Sequence, residues 1–236
     1  MKKLFLLALT PLAFIAMATY SPAQIIVWGS AQNMIGNSDV LDPGTLVDAA
    51  TFYGSAVTIN TVKFNPLTLS SGTYTDGTGI AITTPNGGAG AYTAPFSSTS
   101  PPSSTNYSNL TSVLGFTVGV TGTVTLSGLT VNDTYDVEAW SYYTGTTVGG
   151  YTQLTGSTPV DLASTGGQYA LGTFTATGTT ETFGYAVGAA DNHAIINAVS
   201  VFDTSSSSAA PEPSTYALLG AGLLGLIVLV RRKVRA

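Results

Sequence analysis

Between residues 24 and 203, apolar and polar residues alternate in short runs, and no segment keeps the 3.6-residue period of an amphipathic helix for long. Side chains that alternate in this way point to opposite faces of a strand. The pattern therefore predicts an all-β domain. The clearest runs are 57–63, 116–126, 135–139, 171–177 and 195–201, of which 116–126 reads as one half-buried strand or a tight strand pair.

The length of this region favours one domain. Its 180 residues exceed an immunoglobulin-like domain of about 100 residues. Two such domains would need a linker, and the best candidate, the Ser/Pro-rich stretch Ser97–Asn109, is flanked so closely by strands that we interpret it as a loop. We therefore predict a single jelly-roll-like antiparallel β-sandwich over residues 24–203.

Composition excludes several functional classes. The chain has no cysteine, which removes disulfides, thiolate nucleophiles and zinc fingers. Seven Lys and Arg stand against twelve Asp and Glu, so a nucleic-acid partner is not expected. Only 8% of the residues are charged, too few for a long coiled coil.

The first 23 residues have the three parts of a secretory signal peptide. Lys2 and Lys3 supply the positive start, an apolar helical run follows to Met17, and Ser21-Pro22-Ala23 offers small residues to signal peptidase. An uncleaved anchor is the alternative, but the run is short and interrupted by Pro11. We expect residues 1–23 to be removed.

The C-terminus combines three features in a fixed order. After a Ser-rich linker at residues 204–210 come Pro211, Glu212 and Pro213, whose prolines keep the backbone extended. The next segment is predicted to form a short apolar helix of about 22 Å, against a bilayer core of about 30 Å. This helix runs from Tyr216 through Leu223 to Val230, and the basic residues Arg231, Arg232, Lys233 and Arg235 follow it. Basic residues stay cytoplasmic, so residues 24–210 would lie on the outer side.

This tail resembles the PEP-CTERM sorting signal of Gram-negative bacteria that make extracellular polysaccharide. The resemblance covers residues 211–236 and implies an exosortase that removes the tail at the inner membrane, which the precursor occupies transiently. It also implies release to the cell surface or the extracellular matrix. Similar tails have been catalogued as C-terminal domains of ice-binding proteins. A plain single-pass anchor is the alternative.

Two further resemblances concern the fold. The stretch from Leu126 to Ala139 looks like the strand–turn–strand that carries a tyrosine corner in fibronectin type III and related sandwiches, with Tyr135 packed inside and its hydroxyl bonded to backbone. Residues 169–203 are loosely similar to the end of a sandwich common among PEP-CTERM exoproteins.

Asp136 and Glu138 share one strand face with Trp140 and Tyr142. Paired carboxylates beside aromatic rings are found in glycosidase clefts, so a polysaccharide hydrolase is one alternative. Exposed Trp140 and Tyr142 could instead stack on sugar rings, which makes these four residues a candidate carbohydrate-binding platform. A solvated strand face without ligand is the reading we favour.

Other candidate sites are weaker. Asp39, Asp42 and Asp48 lie in a Gly/Pro-containing stretch that could hold a structural calcium, although a solvated loop is favoured and no other cofactor is expected. The single histidine, His193, has no Gly-x-Ser-x-Gly motif to serve, so we expect a loop or rim residue rather than a catalytic base.

Two threonine ladders, 121–125 and 173–177, raise ice binding as a minor alternative, because regular threonines on a flat face could match an ice lattice. Threonine is also simply a favourable residue on exposed strands. No regular repeat along the chain supports the ladders.

The charge balance sharpens the functional prediction. Six of the seven basic residues belong to the two terminal segments, so the domain at 24–210 keeps eleven acids and Lys63 alone, a net charge of about −10. Such a surface disfavours anionic partners and favours neutral glycans or divalent cations. We predict a non-enzymatic surface or matrix protein with a structural or adhesive role in extracellular polysaccharide, to which weak carbohydrate binding could contribute.

Overall fold

The computed structural model describes residues 26–91, 96, 104–144, 150–188 and 192–205. They contain eighteen strands, one α-helix and a single 3-10 turn at Asn37–Asp39. In chain order these are β1 Val27–Trp28, β2 Gln32–Asn33, β3 Thr45–Thr51, β4 Val57–Ile59, β5 Val62–Pro66, β6 Thr68–Ser70, β7 Thr73–Thr75, β8 Ile80–Thr83, β9 Gly88–Gly90, α1 Thr105–Ser112, β10 Leu114–Val118, β11 Gly122–Ser127, β12 Thr134–Ser141, β13 Tyr151–Leu154, β14 Val160–Ala163, β15 Gln168–Thr175, β16 Thr180–Val187, β17 His193–Ile196 and β18 Ala198–Asp203.

Two large sheets form the domain. The eight-stranded sheet has the order β1-β15-β12-β18-β3-β5-β4, with β2 also paired to β15. The seven-stranded sheet has the order β14-β13-β16-β11-β8-β7-β6. A smaller sheet, β17-β10-β9, completes the structure, and all neighbours are antiparallel except the parallel pair β3–β5.

The main core lies between the two large sheets, because each contributes one apolar face. Val137, Ala139 and Val201 come from the eight-stranded sheet, while Val124 and Phe183 come from the seven-stranded sheet. Alternation along β11 and β12 puts these side chains inward, as period-two patterning requires. The all-β sandwich that the sequence predicts is confirmed.

A second core covers the opposite, outer face of the eight-stranded sheet. Tyr107 and Leu110 of α1 pack with Phe64, Trp140 and Phe202 of the sheet. The helix lies partly within Ser97–Asn109, so the prediction of a loop there is wrong for residues 105–109. Ser104 caps the helix by accepting a hydrogen bond from the Tyr107 N–H at 3.1 Å, and the i, i+3 spacing of the two buried residues matches one helical face.

Two predicted strands are divided by turns. The run 57–63 is a hairpin of β4 and β5, in which Asn60 and Thr61 have φ angles of 55° and 88°. Positive φ at both central residues is what a tight two-residue hairpin needs. The run 116–126 divides into β10 and β11, which belong to different sheets and do not pair with each other.

Tyr135 has the environment that the tyrosine-corner resemblance implies. Its ring is buried in the main core and stacks on Phe174, with ring centroids 5.4 Å apart. Its hydroxyl accepts a hydrogen bond from the Thr130 N–H at 2.7 Å, across the turn that precedes β12. The bond joins the turn to the strand and satisfies a polar atom inside the core.

Removing this hydroxyl should destabilise the domain. In Tyr135→Phe the ring is retained but the Thr130 N–H loses its acceptor, so we expect the free energy of unfolding to fall by about 1–2 kcal/mol in urea denaturation. Tyr151→Phe is the matched control, because Tyr151 is 44% exposed, and its effect should stay within about 0.5 kcal/mol. Equal effects of the two substitutions would contradict a structural role for the Tyr135 hydroxyl.

Candidate functional site

The four residues of the predicted carbohydrate platform lie on the outer face of the eight-stranded sheet, where β12 places every second side chain. This face is covered by the second core, so Glu138 and Trp140 are 0% exposed and Tyr142 is 7% exposed. Asp136, at the start of the strand, is only partly buried. The favoured prediction of a solvated strand face is therefore wrong for Glu138, Trp140 and Tyr142, and neither aromatic ring presents an open face to a sugar.

Glu138 is a buried carboxyl group with few donors. Its Oε2 accepts hydrogen bonds from the Leu41 N–H at 3.4 Å and the Ser200 hydroxyl at 3.3 Å, and Oε1 has no hydrogen-bond partner among the described residues. Burial raises the pKa of Glu138 to about 8, with smaller contributions from the charges of Asp39 and Asp136, while its two hydrogen bonds act in the opposite direction. Glu138 is therefore mostly protonated at neutral pH and is sealed from solvent.

Asp39 occupies the same buried region, but its carboxyl group has more hydrogen-bond donors than that of Glu138. Its Oδ2 accepts hydrogen bonds from the Ile35 N–H at 2.7 Å, the Gly36 N–H at 2.9 Å and the Tyr107 hydroxyl at 2.6 Å. The two N–H bonds close a turn within the segment before β3, and the bond from Tyr107 attaches that segment to α1. Asp39 thus organises the cover of the sheet.

The structure does not bring together the three aspartates of the predicted calcium loop. Asp39 is buried under α1, Asp42 accepts a hydrogen bond from the Thr61 hydroxyl at the surface, and Asp48 lies on β3 next to a different loop. Within the described ranges, no group of three or more His, Asp or Glu could hold a metal ion.

Asp48 has a partner that sequence reasoning missed. The Thr78 hydroxyl lies 2.9 Å from Asp48 Oδ2 and 2.6 Å from Asp76 Oδ2. Burial, together with the hydrogen bond and the charge of Asp76, raises the pKa of Asp48 to about 6. For Asp76, burial is outweighed by hydrogen bonds from Asp48 and Thr78, so its pKa is lowered. The two carboxyl groups therefore share one proton in mildly acidic solution.

His193 is the first residue of β17 and is half-buried, so it lies at the end of a strand and not in a loop. Its imidazole lies 5.8 Å from the Phe116 ring on the neighbouring β10. Asp191 is outside the described residues.

The two threonine ladders lie on different sheets. Thr123 and Thr125 are on the outer face of the seven-stranded sheet, whereas Thr173 is on the outer face of the eight-stranded sheet. Strand pairing extends the first ladder across neighbouring strands, which the sequence alone did not reveal. Its two cross-strand rows are Thr75-Ala81-Thr125-Thr182 and Thr73-Thr83-Thr123-Gly184.

A groove of about 480 Å³ opens on the outer face of the eight-stranded sheet, beside the buried Glu138. We call it the β1–β15 groove. Leu171 and Tyr169 stand directly opposite Glu138 and Trp140 in the pairing of β15 with β12. Its walls include Val27, Gln32, Leu41, Tyr169, Leu171 and Thr173. In the sequence, the alternation of Tyr169, Leu171 and Thr173 indicates that these side chains share one strand face. Val27 and Leu41 come from distant segments, so the sequence gives no sign that they line the same groove.

The fold is an all-β sandwich, and the β1–β15 groove is a concave feature on the outer face of its eight-stranded sheet. The profile of the PEP-CTERM protein-sorting motif matches residues 209–233. The match includes Pro211, Glu212, Pro213, the predicted apolar helix and the basic residues to Lys233. No curated protein and no solved structure shows significant similarity to the chain.

The sorting motif identifies the chain as an exosortase substrate. It is exported, anchored in the membrane as a precursor, and located at the cell surface or outside the cell after processing. The predicted signal peptide and residues 206–236 lie outside the described residues. Within the part of the chain that the structure describes, no helix is long and apolar enough to cross a membrane.

The protonated state of Glu138 should make stability depend on pH. The pKa of Glu138 in the fold lies above its ordinary value of 4.5, so its contribution to stability is complete below about pH 4.5 and is lost as the pH rises towards 8. We expect the wild type to lose up to about 1.4 kcal/mol per pH unit from this group. In Glu138→Gln this loss should disappear, which urea denaturation at several pH values between 5 and 9 will measure.

Only the slope with pH is diagnostic, so a constant stability difference in Glu138→Gln does not matter. Asp161→Asn on the exposed edge strand β14 controls for removal of one carboxylate. Parallel curves for the wild type and Glu138→Gln between about pH 5 and 8 would contradict a raised pKa at Glu138, because Asp48 titrates in both proteins and cancels in the comparison.

Proposed function

We propose that the processed protein is a non-enzymatic component of the extracellular matrix, with a structural or adhesive role in extracellular polysaccharide. Apart from export, the observation that best supports this proposal is the burial of Glu138, which argues against a glycosidase. A glycosidase needs two carboxyl groups that both reach the scissile bond. Here Asp136 is at the surface end of β12, while Glu138 is enclosed by Leu41, Ser200 and the second core.

The charge of the mature region supports a neutral partner. Eleven acidic residues and Lys63 give residues 24–210 a net charge of about −10. Anionic polysaccharides would be repelled at low ionic strength, whereas neutral glycans would not. A domain of this charge also stays soluble while it diffuses through a hydrated matrix.

A hydrolase is the alternative from another functional class. It predicts release of new reducing ends from polysaccharide, and loss of that release in Asp136→Asn. Our proposal predicts no release by the wild type above that of the buffer. Measured hydrolysis that Asp136→Asn abolishes would replace the matrix proposal by the enzymatic one.

The matrix role is tested with the protein recovered from the culture medium of its host. Intact mass should show that Arg231–Arg235 have been removed, and the processed protein should co-sediment with neutral extracellular polysaccharide of that host. Co-sedimentation should persist at about 0.5 M salt, since screening weakens charge-dependent association and not contacts with neutral sugars. Processed protein that stays in the supernatant with every matrix fraction would refute the proposal.

Ice binding is a second candidate, favoured by the threonine rows on the seven-stranded sheet. The rows repeat at about 4.8 Å between strands and at about 7 Å along each strand, and they contain no charged residue. The twist of a sheet limits how flat such an array can be. If the array binds ice, the processed protein should slow ice recrystallisation and Thr125→Tyr should remove the effect; no slowing by the wild type dismisses this candidate.

A further inference from the structure

The walls of the β1–β15 groove combine aliphatic side chains with one aromatic ring. Val27 is 49% exposed and Leu41 is 37% exposed, and both lie at this groove. Single exposed aliphatic residues are ordinary on protein surfaces, but here they converge in a concavity with Leu171 and Tyr169. Its volume of about 480 Å³ lies within the range of about 300–1,000 Å³ that small-ligand sites occupy.

The ring of Tyr169 is held in place from below. It stacks on the buried ring of Trp140, with centroids 6.3 Å apart and planes inclined by 23°. Trp140 is in turn fixed by an edge contact with Phe64 at 5.6 Å. A ring that is already immobilised loses little conformational entropy when a ligand covers it, which favours binding at this position.

Polar groups accompany the ring. Gln32 and Thr173 line the groove at its exposed side, and the Gln32 amide donates a hydrogen bond to the Ser30 carbonyl at 3.3 Å. The pKa of Tyr169 is raised by burial and by the charges of Asp39 and Glu138, so its hydroxyl remains a donor throughout the physiological range. Hydroxyl and amide groups around a flat apolar surface match the equatorial hydroxyls and C–H faces of a pyranose ring.

The charges around the groove select against acidic ligands. Lys63, the one Lys or Arg of residues 24–210, lies on β5, four strands from β15 in the sheet order. Asp136 is directly opposite Thr173 on the neighbouring strand, on the same face. An anionic sugar would therefore meet a carboxylate and no cation, whereas a neutral sugar could use that carboxylate as an acceptor.

One wall of the groove is tied to the buried acid. The Leu41 N–H donates to Glu138 Oε2, and Leu41 itself lines the groove. The segment that follows Val40 is thereby held against the sheet. Glu138 is a positioning residue for this wall, since it is itself enclosed and cannot touch a ligand in the groove.

We propose that the β1–β15 groove binds a neutral glycan, with the Tyr169 ring as its stacking surface and Val27, Leu41 and Leu171 as apolar contacts. This proposal rests on the matrix function proposed above and names its ligand class and site. The expected sugar contact is then Tyr169 on β15 and not Trp140 on β12, whose buried ring stacks beneath that of Tyr169.

The test measures the affinity of the processed protein for laminarin, a neutral β-glucan, and for alginate, a polyuronate, by affinity electrophoresis. We expect retardation by laminarin and none by alginate. Tyr169→Ala should weaken laminarin binding by at least about tenfold, because it removes the stacking surface, while Tyr169→Phe should stay within about threefold. Tyr151→Ala, which removes an exposed tyrosine from the other sheet, should bind as the wild type does.

A second variant guards against misfolding of Tyr169→Ala. Val27→Asp places a charge on the apolar wall at a side chain that is half exposed, and it should also weaken laminarin binding by about tenfold while the thermal transition stays that of a folded protein. Laminarin binding that neither Tyr169→Ala nor Val27→Asp weakens would overturn the groove assignment and leave the matrix proposal intact.

Other occupants give different outcomes. If neither laminarin nor the neutral polysaccharide of the host is bound, the groove proposal and the matrix proposal both fail. Retardation by alginate and not by laminarin would overturn the neutral ligand class. Concentration-dependent dimerisation in sedimentation velocity that Val27→Asp abolishes would assign the groove to a second copy of the chain instead.

Discussion

Strand β12 is an interior strand of the eight-stranded sheet and is buried on both faces from Val137 onward. The properties of the candidate site depend on this double cover. One face packs against the seven-stranded sheet through Val137 and Ala139. The other is closed by α1 and by the segment before β3, which Asp39 links to Tyr107. Because water is removed from both sides, Glu138 is kept mostly protonated at neutral pH. The buried indole of Trp140 packs against the rings of Phe64 and Tyr169.

The local sequence pattern was sufficient to predict the strands. It was insufficient to predict which segments cover the outer face of the eight-stranded sheet. The alternation around Tyr135 correctly separated the two faces of β12, because the direction of a side chain is a property of the strand itself. Which face would be exposed depends on residues far away in the chain, such as Tyr107 and Leu110 of α1. Helix α1 has only eight residues and follows a Ser/Pro-rich stretch, so only its Ser104 cap and the i, i+3 spacing of Tyr107 and Leu110 could have indicated it.

The residues of the predicted carbohydrate platform lie on, or directly after, the strand next to the proposed groove, and three of them are buried. Asp136, Glu138, Trp140 and Tyr142 point to the face that carries the groove, yet burial increases from β15 towards β12. Tyr169 is Trp140's direct partner across the ladder, and this pairing depends on strand order, which one sequence does not reveal. The same limit applies to Asp48 and Asp76, whose coupling arises because β3 and the loop before β8 meet in space.

The scarcity of Lys and Arg explains why the buried carboxyl groups of this domain depend on hydrogen bonds or on protonation. With Lys63 alone available, a buried carboxyl group must be satisfied by N–H and O–H donors or must keep its proton. Asp39 accepts hydrogen bonds from Ile35, Gly36 and Tyr107. Glu138 has fewer donors, and burial raises its pKa so that it keeps its proton at neutral pH. A protonated buried acid costs stability when the pH rises, whereas an ion pair with Lys or Arg would not. With Lys63 as the one Lys or Arg of residues 24–210, we expect the domain to be most stable in neutral or mildly acidic surroundings, where Glu138 keeps its proton. The same lack of cations is what favours a neutral ligand in the proposed groove.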